Sequence, residues 1–142
     1  MENNLVIKMK NDLAEISRSN VLIEEFCEEN KLSNKFIFTL NLTLDELVTN
    51  IISYGFEDDE EHEILISITF SNEKQELTMQ IEDEGVYFNP LNISKPNHID
   101  KPMEKKPIGG LGIHLVKKFV DNVHYERRGN RNILTLTKKT NN

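Results

Sequence analysis

The feature that most constrains this chain's fold is a change in the period of its apolar residues. Ile37, Leu40, Leu44, Leu47, Val48 and Ile51 recur at intervals of three and four, which is one stripe of an α-helix. From Ile64 the period drops to two. Ile64, Ile66, Ile68 and Phe70 alternate with Glu63, Leu65, Ser67 and Thr69, and Leu77, Met79 and Ile81 continue the rhythm. Alternation of that kind is a strand with one buried face. Asn72 to Lys74 is a tight turn between the two runs, so the segment predicts a hairpin. A helix with one apolar stripe and a hairpin with one apolar face bury most by lying on each other.

The flanking segments extend this picture. Leu5, Val6, Ile7 and Met9 read as a short first strand. Asp12, with Glu15 three residues on, offers a carboxylate to the free amides of a starting helix. Leu13, Ile16, Ile23 and Cys27, with Val21 and Phe26 beside them, give that helix a stripe to about Asn30. Ser33 caps the next helix, and Gly55 stands where it should stop. Residues 91–108 hold Pro96, Pro102 and Pro107 with little periodicity, and read as a long lid-like loop. Gly109 to Gly112 opens a third helix bearing Leu115, Val116, Phe119 and Val120. Val123 to Arg127 and Asn132 to Lys138 are two last strands joined at Gly129-Asn130. The expected architecture is α+β: a two-layer α/β sandwich, its mixed, mostly antiparallel sheet covered on one face by about three helices.

Length and charge narrow the function. The 142 residues suit one domain, taken as 1–142. Lys and Arg number 17 against 24 Asp and Glu, a formal charge of −7, which argues against broad binding to nucleic acid or an anionic membrane. A small anion held by backbone amides is still compatible. Glu57 to Glu61 is an acidic run without the glycine turn of a calcium loop, and reads as a solvated loop. Cys27 is the sole cysteine, which removes disulfides within the chain and cysteine-rich zinc sites and suits a small core hydrophobe. His62, His98, His114 and His124 show no zinc-ligand spacing. No apolar run approaches a membrane span, and the start of the chain lacks a signal-peptide pattern, so the expected setting is cytoplasmic.

Three places carry chemistry. Glu46 and Asn50 lie four apart on the long helix and share a face, where a carboxylate and an amide oxygen suit a hard cation such as Mg2+. Asp83 continues the inward phase of Leu77, Met79 and Ile81. A buried carboxylate needs a donor, and a ligand amino group would serve, with Gly85 letting the backbone turn closely around it. Gly109, Gly110 and Gly112 place three glycines at a helix start, where free amides favour phosphate, and Lys101, Lys105 and Lys106 lie just upstream.

In this order and on these elements, the three places resemble the nucleotide-binding boxes of the GHKL ATPase superfamily, whose architecture is the Bergerat fold. Glu46-x-x-x-Asn50 is similar to its N-box. Asp83-x-Gly85 followed by Phe88 resembles its first glycine box, and Gly110-Leu111-Gly112-Ile113 its second. The short form, with a strand and helix ahead of Glu46-Leu47-Val48-Thr49-Asn50, is similar to bacterial anti-sigma factor serine/threonine kinases. The resemblance implies that Glu46 is the general base and that Asn50 holds Mg2+ on the phosphates of ATP. It implies that Asp83 accepts from the adenine amino group and that Gly85 lines the base pocket. Gly110, Leu111 and Gly112, with Lys105 and Lys106, would then meet the phosphates. It further implies a STAS-domain anti-anti-sigma protein as substrate, a sigma factor as sequestered partner, and a homodimer.

The chain departs from the pattern at four places. Ser53-Tyr54 stands where a Lys-His pair is common, and Tyr87 where a second glycine precedes the aromatic residue. Asn20, with Arg18 nearby, occupies the place of a partner-contacting arginine, and Arg131-Asn132 replaces a Gly-Thr pair. Two readings follow: a protein serine/threonine kinase, or an ATP-binding switch module that gates a partner without transfer.

Overall fold

A computed structural model describes residues 2–92 and 109–140. The order is β1 (Glu2–Lys10), α1 (Ile16–Glu29), α2 (Asn34–Tyr54), β2 (Glu63–Ser71), β3 (Glu76–Asp83), α3 (Gly109–Phe119), β4 (Asn122–Arg128) and β5 (Arg131–Lys139). The strands form one five-stranded sheet in the order β1-β2-β3-β5-β4. Every described pairing is antiparallel, so the sheet expected to be mostly antiparallel is wholly so among the described strands. The physical reason is the connections: β2–β3 and β4–β5 are hairpins, and the longer links carry helices to one face.

The period-two pattern sets which face is covered. Ile64, Ile66, Ile68 and Phe70 on β2 and Leu77, Met79 and Ile81 on β3 are buried, while their alternates are partly exposed. Ile7 and Met9 on β1 and Leu134 and Leu136 on β5 extend the same face. Onto it α2 lays Leu40, Leu44, Leu47, Val48 and Ile51, all buried. Among the described residues α2 is the one helix long and apolar enough to cross a membrane, with a mean hydropathy of 1.2. That stripe packs into the core of this fold.

Caps follow the sequence with one difference. Ser33 Oγ accepts from Phe36 N at 3.1 Å and starts α2. Asp12 accepts from Ala14 N at 2.9 Å, but what it starts is a 3₁₀ turn, Leu13–Glu15, ahead of α1. Leu13 is therefore exposed and leaves the expected stripe, while Ile23, Phe26 and Cys27 hold it. Burial pushes the Cys27 thiol up to about 12, which leaves it inert. Gly55 ends α2 as expected, in right-handed conformation, with its N–H on Ile51 O at 2.7 Å. A second 3₁₀ turn, Pro90–Asn92, with Pro90 and Leu91 buried, occupies the start of the expected lid. The rest of that lid, with Lys101, Lys105 and Lys106, lies outside the described residues.

Leu40 is fully buried under the sheet, so Leu40→Ala should lower unfolding stability by about 2–5 kcal/mol, read as a lower urea midpoint at unchanged slope. Ser33→Ala, which removes only a cap, should cost about 1 kcal/mol in the same assay.

Candidate functional site

The long helix α2 supplies the spine of the site. Asn50 is buried at 2% exposure although it is polar, and Thr43 is buried about two turns earlier. The Asn50 amide Nδ2 donates to Pro90 O at 3.4 Å. The same amide faces the Glu46 carboxylate one turn back and pulls its pKa down, against burial, which raises it and dominates. Glu46 is thus a partly desolvated carboxylate with its pKa above the ordinary glutamate value.

Gly112 in α3 closes on Glu46 from the other side. A β-carbon at 112 would overlap the Glu46 carboxyl group and its Cγ, so the glycine is what lets that side chain lie against α3 in this position. Because α3 starts at Gly109, the amides of Gly109, Gly110, Leu111 and Gly112 are the first four of the helix and have no intrahelical acceptor. The structure therefore brings Glu46, Asn50 and Gly112 into one cluster.

Asp83 forms a second cluster at the end of β3. It is 2% exposed, on the covered face, as its alternation requires. Its Oδ1 accepts from Gly85 N at 2.8 Å and from Asn132 Nδ2 at 3.0 Å. Burial raises the Asp83 pKa; these two bonds, then Arg127 and Arg131, oppose the rise. Gly85 is buried, and a β-carbon there would overlap the carbonyl of Gly55. The next residue, Val86, donates its N–H to that carbonyl at 2.8 Å. Arg127 Nη1 closes over the turn by donating to Gly85 O at 2.7 Å.

The two clusters share no described hydrogen bond. Their link is α2, which carries Glu46, Asn50 and Gly55 over about 13 Å of helix axis. Tyr54 packs on Phe88 with ring centroids 6.1 Å apart, and the Gly55 carbonyl anchors the turn after Asp83. Gly110 and Leu111 lie in the first turn of α3. Lys105 and Lys106 are not among the described residues. Asn20 faces Asp45 across α1 and α2, and Arg18 bonds Lys8 O at 2.8 Å.

Sequence reasoning missed Asn132, Tyr125 and Arg127 as parts of the site. The first was detectable. Asn132 is in phase with Leu134 and Leu136, so it points inward by the same logic that placed Asp83. The register sets Asp83 opposite Asn132. Tyr125 and Arg127 come from β4, whose position beside β5 no local pattern reveals.

The antiparallel sheet, the helix layer and these clusters define an ATPase-type fold. The chain belongs to the histidine kinase-like ATPase domain family, which matches residues 9–138. Family membership carries nucleotide binding with it. The chain is 30% identical over 115 residues to the serine/threonine-protein kinase BtrW of Bordetella bronchiseptica, covering 81% of this chain and 79% of that one. It is 29% identical over 87 residues to the serine-protein kinase RsbW of Bacillus cereus, covering 59% of this chain and about half, 52%, of that relative. Among solved structures, the RsbU and RsbW domains of a Mycobacterium tuberculosis protein superpose with a TM-score of 0.68 at 13% identity, over 96% of this chain and 32% of that one. A blue-light activated histidine kinase domain from Erythrobacter litoralis gives 0.54 at 14% identity, over 91% and 61%. These likenesses show the fold.

The two close glycines should respond differently to alanine. At Gly85 the obstacle is backbone, so Gly85→Ala should destabilise by about 1–3 kcal/mol in thermal or urea unfolding. At Gly112 the obstacle is the Glu46 side chain, so Gly112→Ala should keep near-normal stability while displacing that carboxylate, visible as a shifted Glu46 carboxyl resonance.

Proposed function

We propose that this chain is an ATP-dependent protein serine/threonine kinase of the anti-sigma type. Its substrate is a STAS-domain anti-anti-sigma protein, and it also sequesters a sigma factor. The observation that carries the reading is the Glu46 carboxylate held between Asn50 and the first turn of α3. A base at that place is needed for chemistry and not for binding alone. Kinship with chains named as serine and serine/threonine kinases supports it. A homodimer and a cytoplasmic setting belong to the same proposal.

Each residue has a role in this reading. Asp83 accepts from the adenine amino group, and Gly85 lines the base pocket. Gly110, Leu111 and Gly112 offer amides to the phosphates, and Lys105 and Lys106 add positive charge. The described hydrogen bond of Asn50 is donated by Nδ2, which leaves Oδ1 as its metal-ligand atom, and an amide oxygen fits Mg2+. That ion, when bound, supplies charge neutralisation on the phosphates. Glu46 takes the proton of the attacking serine or threonine hydroxyl. The hydroxyl oxygen then bonds the terminal phosphorus of ATP as the bond to the bridging oxygen breaks, giving ADP and a phosphoserine or phosphothreonine. In this reading the nucleotide lies along α2 from Gly55 to Glu46, with its base at Asp83 and its phosphates at α3.

One observation favours the second reading, an ATP-binding switch module. Ser53 and Tyr54 are exposed, and Tyr54 packs on Phe88, so this part of α2 offers no basic group to phosphate.

Incubation with labelled ATP, Mg2+ and a co-encoded STAS-domain protein separates the two. The kinase reading expects phosphoserine or phosphothreonine, lost by at least about a hundredfold in Glu46→Gln with nucleotide affinity kept. Nucleotide binding without transfer in the natural chain assigns it to the module. The pH profile has a required sign. Only the ionised carboxylate accepts a proton, and burial raises the Glu46 pKa, so the transfer rate should fall with decreasing pH at a midpoint above the ordinary glutamate value.

A further inference from the structure

Asn132 holds more of the site together than its place in a strand requires. It lies at the inner end of β5, directly across from Asp83, and is 3% exposed. Its Nδ2 donates to Asp83 Oδ1 at 3.0 Å and to Val86 O at 2.8 Å. Its Oδ1 accepts from Phe88 N at 3.3 Å, from Arg127 Nη1 at 3.2 Å and from the Tyr125 hydroxyl. The two faces of the amide are chemically sorted, acceptors around the nitrogen and donors around the oxygen. Turning the amide over would set Nδ2 against an N–H and a guanidinium, so its orientation is fixed by its neighbours.

That orientation acts on Asp83. Both described bonds to the carboxylate, from Gly85 N and Asn132 Nδ2, converge on Oδ1. The other oxygen, Oδ2, is left for a ligand. We infer that Asn132 is a positioning residue that fixes which oxygen of Asp83 meets a nucleobase amino group, and that keeps that oxygen an acceptor. The inference rests on the nucleotide reading above and deepens it. Adenine presents an amino group where guanine presents a carbonyl, so a fixed, anionic Oδ2 favours the first and repels the second.

A hydroxyl at 132 could not do the same work. Threonine has one O–H donor, so it cannot serve Asp83 and the Val86 carbonyl together. The charged and titratable groups acting on Asp83 are Arg127 from β4 and Arg131 from β5, both favouring the anion, and the Tyr125 hydroxyl, joined to it through Asn132. Glu82 on its own strand and Glu84 in the turn after it flank Asp83, and Arg131 pairs with both. From α2 the nearest neighbour of the turn is the uncharged carbonyl of Gly55. Asn132 is thus the one uncharged side chain among the described partners that both donates to the carboxylate and is held by the cation beside it.

The test uses the full chain with Asn132→Leu and Asn132→Thr. Three quantities are read: the carboxyl 13C titration of Asp83 without nucleotide, ADP affinity between pH 5 and pH 8 by calorimetry, and the ratio of ADP to GDP affinity. Asn132→Leu should move the Asp83 titration to higher pH and weaken ADP by about tenfold or more at neutral pH, with the loss growing as pH falls. It should also shrink the preference for ADP over GDP. Asn132→Thr should fall between this variant and the natural chain, and carries the test if the leucine variant does not fold. An Asp83 titration and an ADP pH profile unchanged in a folded variant would overturn the inference. Absence of ADP binding in the natural chain would instead overturn the nucleotide reading, and the carboxyl titration would still judge the role of Asn132.

Discussion

A carboxylate on the covered face of a sheet is the constraint around which this molecule is arranged. Alternation along β3 leaves Asp83 no route to solvent short of breaking register, because moving it outward would also expose Leu77, Met79 and Ile81. Its burial without partners would cost several kcal/mol. The fold meets that demand from three elements: the amide of Gly85 in the turn, Asn132 on β5, and the guanidinium groups of Arg127 and Arg131. The sheet order follows the same need. With β5 beside β3, the register sets Asn132 against Asp83, and β4 outside it brings Arg127 and Tyr125 within reach.

The second organising element is α2. One helix buries a stripe beneath the sheet and carries Glu46, Asn50 and Gly55 at successive turns beside that stripe. Packing and the proposed chemistry thus share one rigid body, and the distance between the turn proposed to hold the base and the carboxylate proposed as general base is set by helix rise. Small errors in loops do not reach it. The junction at Gly55, whose carbonyl accepts from Val86 and is crowded by Gly85, locks the turn after β3 to the end of this helix.

Much of this was legible in the chain because the period of the apolar residues changes so sharply. The stripe from Ile37 to Ile51 and the alternation from Ile64 to Ile81 placed α2, β2 and β3, and the phase of that alternation placed Asp83 on the inner face. Ser33 and Gly55 marked real helix ends, since their roles are local. What was not legible is what depends on distant partners. Strand direction across the sheet is a property of pairing, so the expectation stopped at a mostly antiparallel sheet where every described pair is antiparallel. The approach of Gly112 to Glu46 is set by the packing of α3 on α2, 66 positions apart, and no spacing rule foresees it. Asn132 was within reach of the same alternation argument as Asp83, yet its pairing required the register of β5 on β3.

The contact between Gly112 and Glu46 has a mechanical meaning. Where two helices touch through long side chains, a rotamer change absorbs a small displacement of either axis. Here one partner has no side chain, so the α3 backbone itself forms one wall around the carboxylate. A shift of that helix end therefore changes how deeply the acid group is buried, and burial is what raises its pKa. The basicity of Glu46 is in this sense geared to where α3 lies, with the Glu46 side chain itself the one joint between them.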